Sequence, residues 1–147
     1  MKKYVEFDFA ERGGKVRCEL FEDAAPNSCK ALWDALETDI KKRCEHGIYS
    51  GQVIGFLTDF SYPELENTRI IGLKKGDILL NTYCTTKLEK TCEIVLVYGD
   101  EILPCDRAGQ ARWNYIGHVI PEDEAKLTEI GLRIMDKGRE DVIVKRG

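Results

Sequence analysis

The sequence lacks the features that mark membrane and nucleic-acid proteins. No apolar run approaches the length of a membrane-spanning helix, about 20 residues. The 22 basic and 26 acidic side chains are interspersed and give a net charge of −4, so they form no basic patch of the kind that nucleic acid requires. We therefore expect neither a membrane span nor a nucleic-acid partner.

The chain also lacks the cysteine and histidine spacings of metal and disulfide proteins. Its six cysteines include no CxxC pair and it has only two histidines, so we predict no metal site and no cofactor. Cys18 and Cys29 fall on apolar stripes, which favours buried, reduced thiols and a cytoplasmic location. One alternative stays open: Cys84 and Cys92 could face each other across a hairpin as a redox pair.

No repeat, linker or low-complexity segment divides the sequence. From Lys3 onward the N-terminal residues alternate between the two faces of a strand, which argues against a signal peptide. A length of 147 residues fits a single domain spanning 1–147. The oligomeric state stays open, with a dimer as one option.

A strand, a sharp corner and a helix follow one another between Lys15 and Leu36. Alternating apolar residues predict a strand over Lys15–Phe21. Pro26 then suits the first position of a helix, where its missing N–H costs nothing. The apolar side chains that follow recur at helical spacing, in one stripe made of Cys29, Leu32, Trp33 and Leu36. The helix should fold back onto a sheet at once.

The rest of the chain predicts strands and a second helix. Pro121 and the acids after it open that helix, and Gly138 ends it. We expect a charged loop or a frayed helical turn over Thr38–Cys44, a surface loop over Leu57–Arg69 and turns over Gly99–Ala111. Since strands outnumber helices about four to one, the pattern predicts a mainly β protein. The expected architecture is a closed antiparallel barrel of about eight strands with two helices capping its ends.

Both ends of the chain resemble cyclophilins. Their N-terminal strand and corner read roughly G-x-[IV]-x-[IL]-E-L-F and D-x-A-P-x-[ST], and the matching positions here are Gly14, Val16, Glu19, Leu20, Phe21, Asp23, Ala25, Pro26 and Ser28. Ile116–Val119 resembles the strand that precedes their last helix. The resemblance implies a cyclophilin-like barrel.

The middle of the chain departs from the prolyl isomerases of that fold. Those enzymes read roughly F-H-R-V-I-P-G-F, and their arginine polarises the prolyl amide. Here His46 matches the histidine, but Gly47 stands at the arginine position. Because the main electrostatic contribution is missing, we expect no isomerase activity.

The middle is more similar to a bacterial family of uncharacterised, single-domain cyclophilin-like proteins. The shared features are Tyr49-Ser50-Gly51, Gly76-Asp77-Ile78, Tyr98-Gly99 and Asn114 before Gly117. This resemblance implies no particular reaction, since a fold does not fix a function.

Eight residues are candidates for a ligand site, and each has a plainer interpretation. They are Tyr49, Ser50, Gly51, Glu93, Tyr98, Trp113, Asn114 and His118. The aromatics can line a groove or fill the core. Ser50-Gly51 can hold an anion or make a turn, Glu93 can be a buried acid-base group or a solvated carboxylate, and His118 can shuttle protons or cap a helix.

Two classes of function follow. The first is a binder, or an enzyme, for a small polar or anionic metabolite in a pocket at the barrel wall. The second is a non-catalytic module for a peptide or protein. A closed pocket with convergent polar groups would favour the first, and a shallow apolar groove the second.

Overall fold

The computed structural model describes residues 1–60, 62, 64–82, 91–106 and 109–147. The strands are β1 (Tyr4–Asp8), β2 (Lys15–Leu20), β3 (Ile40–His46), β4 (Gly51–Leu57), β5 (Thr68–Arg69), β6 (Asp77–Asn81), β7 (Glu93–Ile102), β8 (Cys105–Asp106), β9 (Gly109–Gln110), β10 (Trp113–Val119) and β11 (Glu140–Arg146). The helices are α1 (Pro26–Ala35) and α2 (Glu124–Lys137), the latter after a 3₁₀ turn at Pro121–Asp123.

Eight strands close into an antiparallel barrel, as predicted. They run in the order β2, β1, β11, β3, β4, β7, β6 and β10, and β10 pairs back onto β2. The short β5 pairs with the start of β10, and β8 with β9 forms a separate hairpin. Closure pairs the edges that an open sheet would leave exposed.

Alternation along the strands fills the barrel. Val5 and Phe7 of β1 and Val16 and Cys18 of β2 are all fully buried, while the residues between them face outward. Since successive side chains of a strand point to opposite faces, this two-residue period sends one set into the interior.

Both helices lay an apolar stripe on this interior. α1 begins at Pro26, as predicted, and contributes Cys29 and Leu32 to the core. α2 contributes Leu127, Ile130 and Ile134, and Gly138 ends it with a positive φ of 90°. Within the described residues, neither helix is long and apolar enough to cross a membrane.

The prediction of a loop over Thr38–Cys44 was wrong, because Ile40–His46 forms strand β3. Its outward face carries Lys41, Arg43 and Glu45, all exposed, so the segment is charged without being irregular. Backbone pairing with β11 and β4 on its two sides holds it in the barrel.

The expected turns over Gly99–Ala111 begin later than predicted. β7 continues through Gly99 to Ile102, because this end pairs with Gly51 at the start of β4. The Cys84 half of the proposed redox pair lies outside the described residues. The five described cysteines are free thiols, as predicted, and Cys92 is one of them.

Candidate functional site

A second apolar layer covers the outside of one barrel wall. β4, β6 and β7 alternate so that Ile54, Leu80 and Leu96 point into the core. Their neighbours pack on the opposite, outer face in a cluster made of Val53, Leu79, Val95, Val97, Ala111 and Trp113. These strands are therefore buried on both faces, and the outer layer is where the wall opens into a cleft.

The cleft has a volume of about 160 Å³. Strand pairing builds its floor, since Gly55 lies opposite Val95 and Leu57 opposite Glu93. The lining residues are Glu45, His46, Gly47, Ile48, Tyr49, Ser50, Val53, Ile54, Gly55, Leu57, Asn81, Glu93, Val95, Cys105 and Trp113. Four of the eight candidates, namely Tyr49, Ser50, Glu93 and Trp113, thus lie around one cleft.

One end of the cleft carries polar groups from three strands. Asn81 of β6 pairs with Glu93 of β7, and the Asn81 amide Nδ2 lies 3.4 Å from the Glu93 carboxylate. Trp113 of β10 is 2% exposed, and its indole Nε1 has no hydrogen-bond partner among the described residues. A buried donor left without a partner costs free energy, so this donor is a candidate contact for a ligand.

The opposite end is a turn held by Ser50 and Cys105. The Ser50 hydroxyl donates to the Cys105 carbonyl at 2.9 Å, and the Cys105 thiol donates to the Tyr49 carbonyl at 2.9 Å. Ser50 is therefore a structural tie between the β3–β4 turn and β8, while Tyr49, 48% exposed, stands at the rim.

His46 reaches the cleft with both ring nitrogens engaged. Nδ1 lies 2.8 Å from the Gly47 carbonyl, which can only accept, so Nδ1 carries the proton. Nε2 lies within hydrogen-bond distance of the Tyr98 hydroxyl, at 2.6 Å. These two contacts fix the orientation of the imidazole ring.

Tyr98 is fully buried and faces the core instead of the cleft. Its ring packs against Gly131 of α2, where a Cβ atom would come within 2.1 Å of the Tyr98 Cγ. Burial raises the pKa of its phenol. Gly51 begins β4 with φ of 86° against the Glu101 carbonyl, beside the cleft but outside its lining.

Asn114 is also fully buried, and it serves the loop that precedes β5. Its Nδ2 donates to the Ser28 hydroxyl and to the Glu64 carbonyl, each at 3.0 Å. Its Oδ1 accepts from the Glu66 backbone N–H at 2.9 Å. These contacts connect α1, the loop and β10. Asn114 therefore holds three elements together and does not line the cleft.

Glu66 adds to this connection, because its side chain caps the N-terminus of α1. Its carboxylate accepts from the backbone N–H groups of Asn27 and Ser28, at 3.2 and 2.8 Å. Burial pushes the pKa of Glu66 up, but the hydrogen bonds from Ser28 and Asn27 together outweigh it and leave the pKa lowered. The loop thus supplies the anion that the N-terminus of α1 favours.

His118 lies away from the cleft, between two carboxylates. Nδ1 is 2.9 Å from Oδ1 of Asp77, and Nε2 is 3.0 Å from Oε1 of Glu124. The hydrogen bond to Asp77 is the largest cause that raises the pKa of His118, with Glu124 adding to it and burial opposing it. His118 therefore clamps β6, β10 and the start of α2 together.

Several lining residues were missed by the sequence reasoning. Asn81 and Cys105 carry no motif, and His46 was noted only as the matched cyclophilin histidine. One signal in the sequence could have located Asn81. Alternation along β6 puts Asn81 on the same outer face as Leu79. In the described part of the chain, no group of three or more histidine, cysteine or acidic side chains is placed to hold a metal ion.

The same barrel occurs in solved structures of low identity. McbB, solved in complex with tryptophan, matches with a TM-score of 0.74 and 18% identity over 97% of this chain, and this chain spans 44% of McbB. A hypothetical protein of Archaeoglobus fulgidus matches with a TM-score of 0.63 and 22% identity, covering 99% of this chain and 95% of that one. A cyclophilin-type peptidyl-prolyl isomerase of Cryptosporidium parvum matches with a TM-score of 0.53 and 16% identity, covering 100% of this chain and 98% of that one.

These matches define a cyclophilin-like fold, as the sequence resemblance implied. Residues 8–145 match the model of a family described as protein of unknown function DUF3830, and the chain belongs to that family. Comparison with curated proteins finds no significant match.

Proposed function

We propose that this protein binds a small polar metabolite in the outer-wall cleft and does not isomerise prolyl peptide bonds. The observation that carries the first half is the polar end of the cleft. There, the Trp113 indole donor has no partner among the described residues and stands with Asn81 and Glu93 around a volume of about 160 Å³. An apolar cavity of about 150 Å³ holds a benzene molecule, so a compact ligand fits.

The second half rests on the absence of a guanidinium from the described lining of the cleft. By the sequence resemblance, Gly47 stands at the position of the isomerase arginine. A Cβ on Gly47 would come within 2.4 Å of the Val53 side chain. No arginine belongs to the described lining of the cleft. Without that charge, the transition state for prolyl rotation loses its main electrostatic stabilisation.

McbB gives indirect support for small-molecule binding, because it was solved with an amino acid, tryptophan. We propose that the cleft of this protein also takes a small ligand and binds it with moderate affinity. Contacts of a few polar groups with a small ligand correspond to dissociation constants from about 1 µM to about 1 mM.

Two measurements test the proposal. A chromogenic proline tetrapeptide assay, with a cyclophilin as positive control, should show no turnover above the uncatalysed rate; clear turnover would contradict the second half. A thermal-shift screen of small polar metabolites should give hits that weaken several-fold in Trp113→Phe, which keeps the ring and removes the donor. Leu132→Ala, on the exposed face of α2, is the matched control and should leave hits unchanged.

If a hit binds Trp113→Phe and the native protein equally tightly, its binding site is not at Trp113, and the proposed site is contradicted. Asn114→Ala is unsuitable for this test, since the Asn114 contacts hold α1 and the loop in place.

A peptide-binding module is the second candidate, favoured by the rim of the cleft. Ile48 is 84% exposed and Leu103 59% exposed, and both lie beside the Tyr49–Ser50 turn. An apolar peptide should then lose affinity in Ile48→Ser. Small metabolites should be indifferent to that change, because they contact the deeper polar end.

We also propose a cytoplasmic location and a bacterial source. The five free described thiols support the first, and the motif resemblance supports the second. Fractionation of expressing cells checks the location.

A further inference from the structure

We infer that the ligand of the cleft is a neutral carbonyl compound with a compact apolar body, whose oxygen accepts a hydrogen bond from the Trp113 indole. This inference rests on the proposed binding function of the cleft and names the class of molecule that the cleft takes. It sets aside the anionic ligand that the sequence alone left open.

The Trp113 indole determines which kind of polar group a ligand has to present. Its Nε1 is a hydrogen-bond donor and never an acceptor. The side chain lines the cleft and is 2% exposed, and Nε1 has no hydrogen-bond partner among the described residues. Because bulk water does not reach a buried group, the partner of this donor has to come from within the cleft and to supply an acceptor atom.

Polar groups at the turn end of the cleft are already hydrogen-bonded within the protein. The Ser50 hydroxyl donates to the Cys105 carbonyl, and the Cys105 thiol donates to the Tyr49 carbonyl. His46 Nδ1 lies 2.8 Å from the Gly47 carbonyl. A ligand therefore gains little from a donor of its own at this end. A carbonyl oxygen satisfies the indole without bringing a new donor into the cleft, whereas a hydroxyl brings one.

The rest of the cleft favours a neutral and largely apolar molecule. Val53, Leu57 and Val95 offer surface for a hydrocarbon body, and a volume of about 160 Å³ takes a single ring. Among the described lining residues there is no lysine or arginine to compensate an anion. Transfer of a carboxylate from water into an apolar site without a counter-charge costs free energy, and a ketone or an ester avoids that cost.

Three probes of similar size isolate the acceptor. Acetophenone carries a carbonyl, α-methylstyrene carries a methylene group in its place, and 1-phenylethanol carries a hydroxyl. The methyl signals of Val53 and Val95 in ¹H–¹³C NMR spectra follow binding, because both residues line the cleft. We expect acetophenone to bind about tenfold more tightly than α-methylstyrene, with 1-phenylethanol between them.

The indole N–H signals identify the group that binds. The chain has two tryptophans, so Trp113 reports on the cleft while Trp33, on α1, is an internal reference. Acetophenone should move the Trp113 N–H signal farther downfield than α-methylstyrene does, since it adds a hydrogen bond. If an ordered water already binds Nε1, a ketone oxygen that replaces it gains little, and the missing preference would overturn the inference.

A pair of variants then assigns the effect. Trp113→Phe keeps an aromatic ring and removes the donor, so acetophenone and α-methylstyrene should bind it within about twofold of each other. This ratio is insensitive to a change in cleft volume that affects both probes alike. Trp33→Phe removes the same donor from α1, is the matched control and should keep the preference. Equal affinities in the native protein, or an unchanged preference in Trp113→Phe, would overturn the inference.

Failure of the inference is distinguishable from failure of the proposed function. If acetophenone and α-methylstyrene shift the Val53 and Val95 signals with equal affinity, the carbonyl class is rejected and the small-molecule cleft is kept. Tighter binding of benzoate than of acetophenone would reject the neutral class in the same way. If no probe shifts these signals, the carbonyl inference also fails. The metabolite screen, with its Trp113→Phe arm, then decides separately whether the cleft binds other polar molecules.

Discussion

Glu140 is a fully buried carboxylate held by two arginines. Arg133 places Nη2 at 2.6 Å and Nε at 2.9 Å from its two oxygens, and Arg12 places Nη1 at 3.1 Å. Removing one partner of a buried ion pair leaves a charge without compensation, whereas removing both can be nearly neutral. The contribution of Arg133 to the free energy of unfolding therefore depends on the presence of Glu140.

We expect Arg133→Met to lower the free energy of unfolding by about 3 kcal/mol, measured by urea denaturation. The double variant Arg133→Met/Glu140→Met should recover most of that loss. Arg139→Ala breaks an exposed pair at 3.9 Å and serves as control, with a change below about 0.5 kcal/mol. A loss in Arg133→Met as small as the control's would show that the buried pair contributes little.

His118 predicts a pH-dependent contribution to stability. Both ring nitrogens face carboxylates, so the doubly protonated ring makes both hydrogen bonds as a donor. Because the pKa of His118 is raised, chiefly by the hydrogen bond to Asp77, its contribution is full below the unfolded pKa. That contribution is lost as pH rises through the higher folded pKa.

The comparison is between the native protein and His118→Gln in urea at pH 5.5 and pH 8.5. The native protein should be more stable than the variant by about 1 kcal/mol at pH 5.5, a figure that allows for solvent screening of a partly exposed ring. The difference should shrink at pH 8.5. A difference that is the same at both pH values, or grows with pH, would contradict this account.

At the scale of elements, the contact between α2 and β7 leaves no room for a methyl group. A Cβ on Gly131 would lie 2.1 Å from Cγ of Tyr98, far inside van der Waals contact. Helix propensity alone predicts that Gly→Ala in a helix gains up to about 1 kcal/mol. Overpacking a core predicts a loss of about 1–3 kcal/mol instead.

We expect Gly131→Ala to be destabilised, by about 2 kcal/mol in thermal or urea unfolding, because Tyr98 is also held by His46 and has little freedom to move. Lys126→Ala on the exposed side of α2 is the control and should stay within about 0.5 kcal/mol. A stabilised Gly131→Ala would mean that α2 shifts along the barrel with little cost.

The elements that the sequence predicted well are those with one buried face. α1 and β2 alternate or repeat cleanly, and their corner at Pro26 fits one geometry. β3 was missed because its face is charged and its stability comes from pairing with β11 and β4, which lie far away or downstream in sequence. The β-propensity of a segment does not indicate which distant strands it will pair with.

The candidate site was predictable in part, for the same reason. β7 is apolar on both faces, because an inner and an outer cluster cover it, so alternation did not reveal that Tyr98 points inward with Leu96. Asn114 is polar, yet buried, and its partners on α1 and in the 57–69 region are set by the tertiary fold. Tyr49 and Trp113, both proposed from the sequence, do line the cleft. Whether either residue contacts a ligand stays a prediction.

At the scale of the whole molecule, the reactivity of the cysteine thiols measures how the barrel unfolds. Cys18, Cys44 and Cys92 are buried in the core, and burial raises the pKa of each. Burial is also the main cause that raises the pKa of Cys29 to about 12. Since the thiolate is the reactive form, these groups should be inert until the protein unfolds. Cys105 differs, because it is partly exposed and lines the cleft.

We predict that a disulfide-exchange reagent titrates all six cysteines in denatured, unreduced protein. Four or fewer would contradict the free-thiol assignment. In native Cys84→Ser/Cys105→Ser protein, the four remaining thiols should show no fast phase and should react together. Their common rate should follow the global opening of the barrel, slowing when stability increases. A fast phase in that variant would mean that one wall of the barrel opens on its own, independently of the rest.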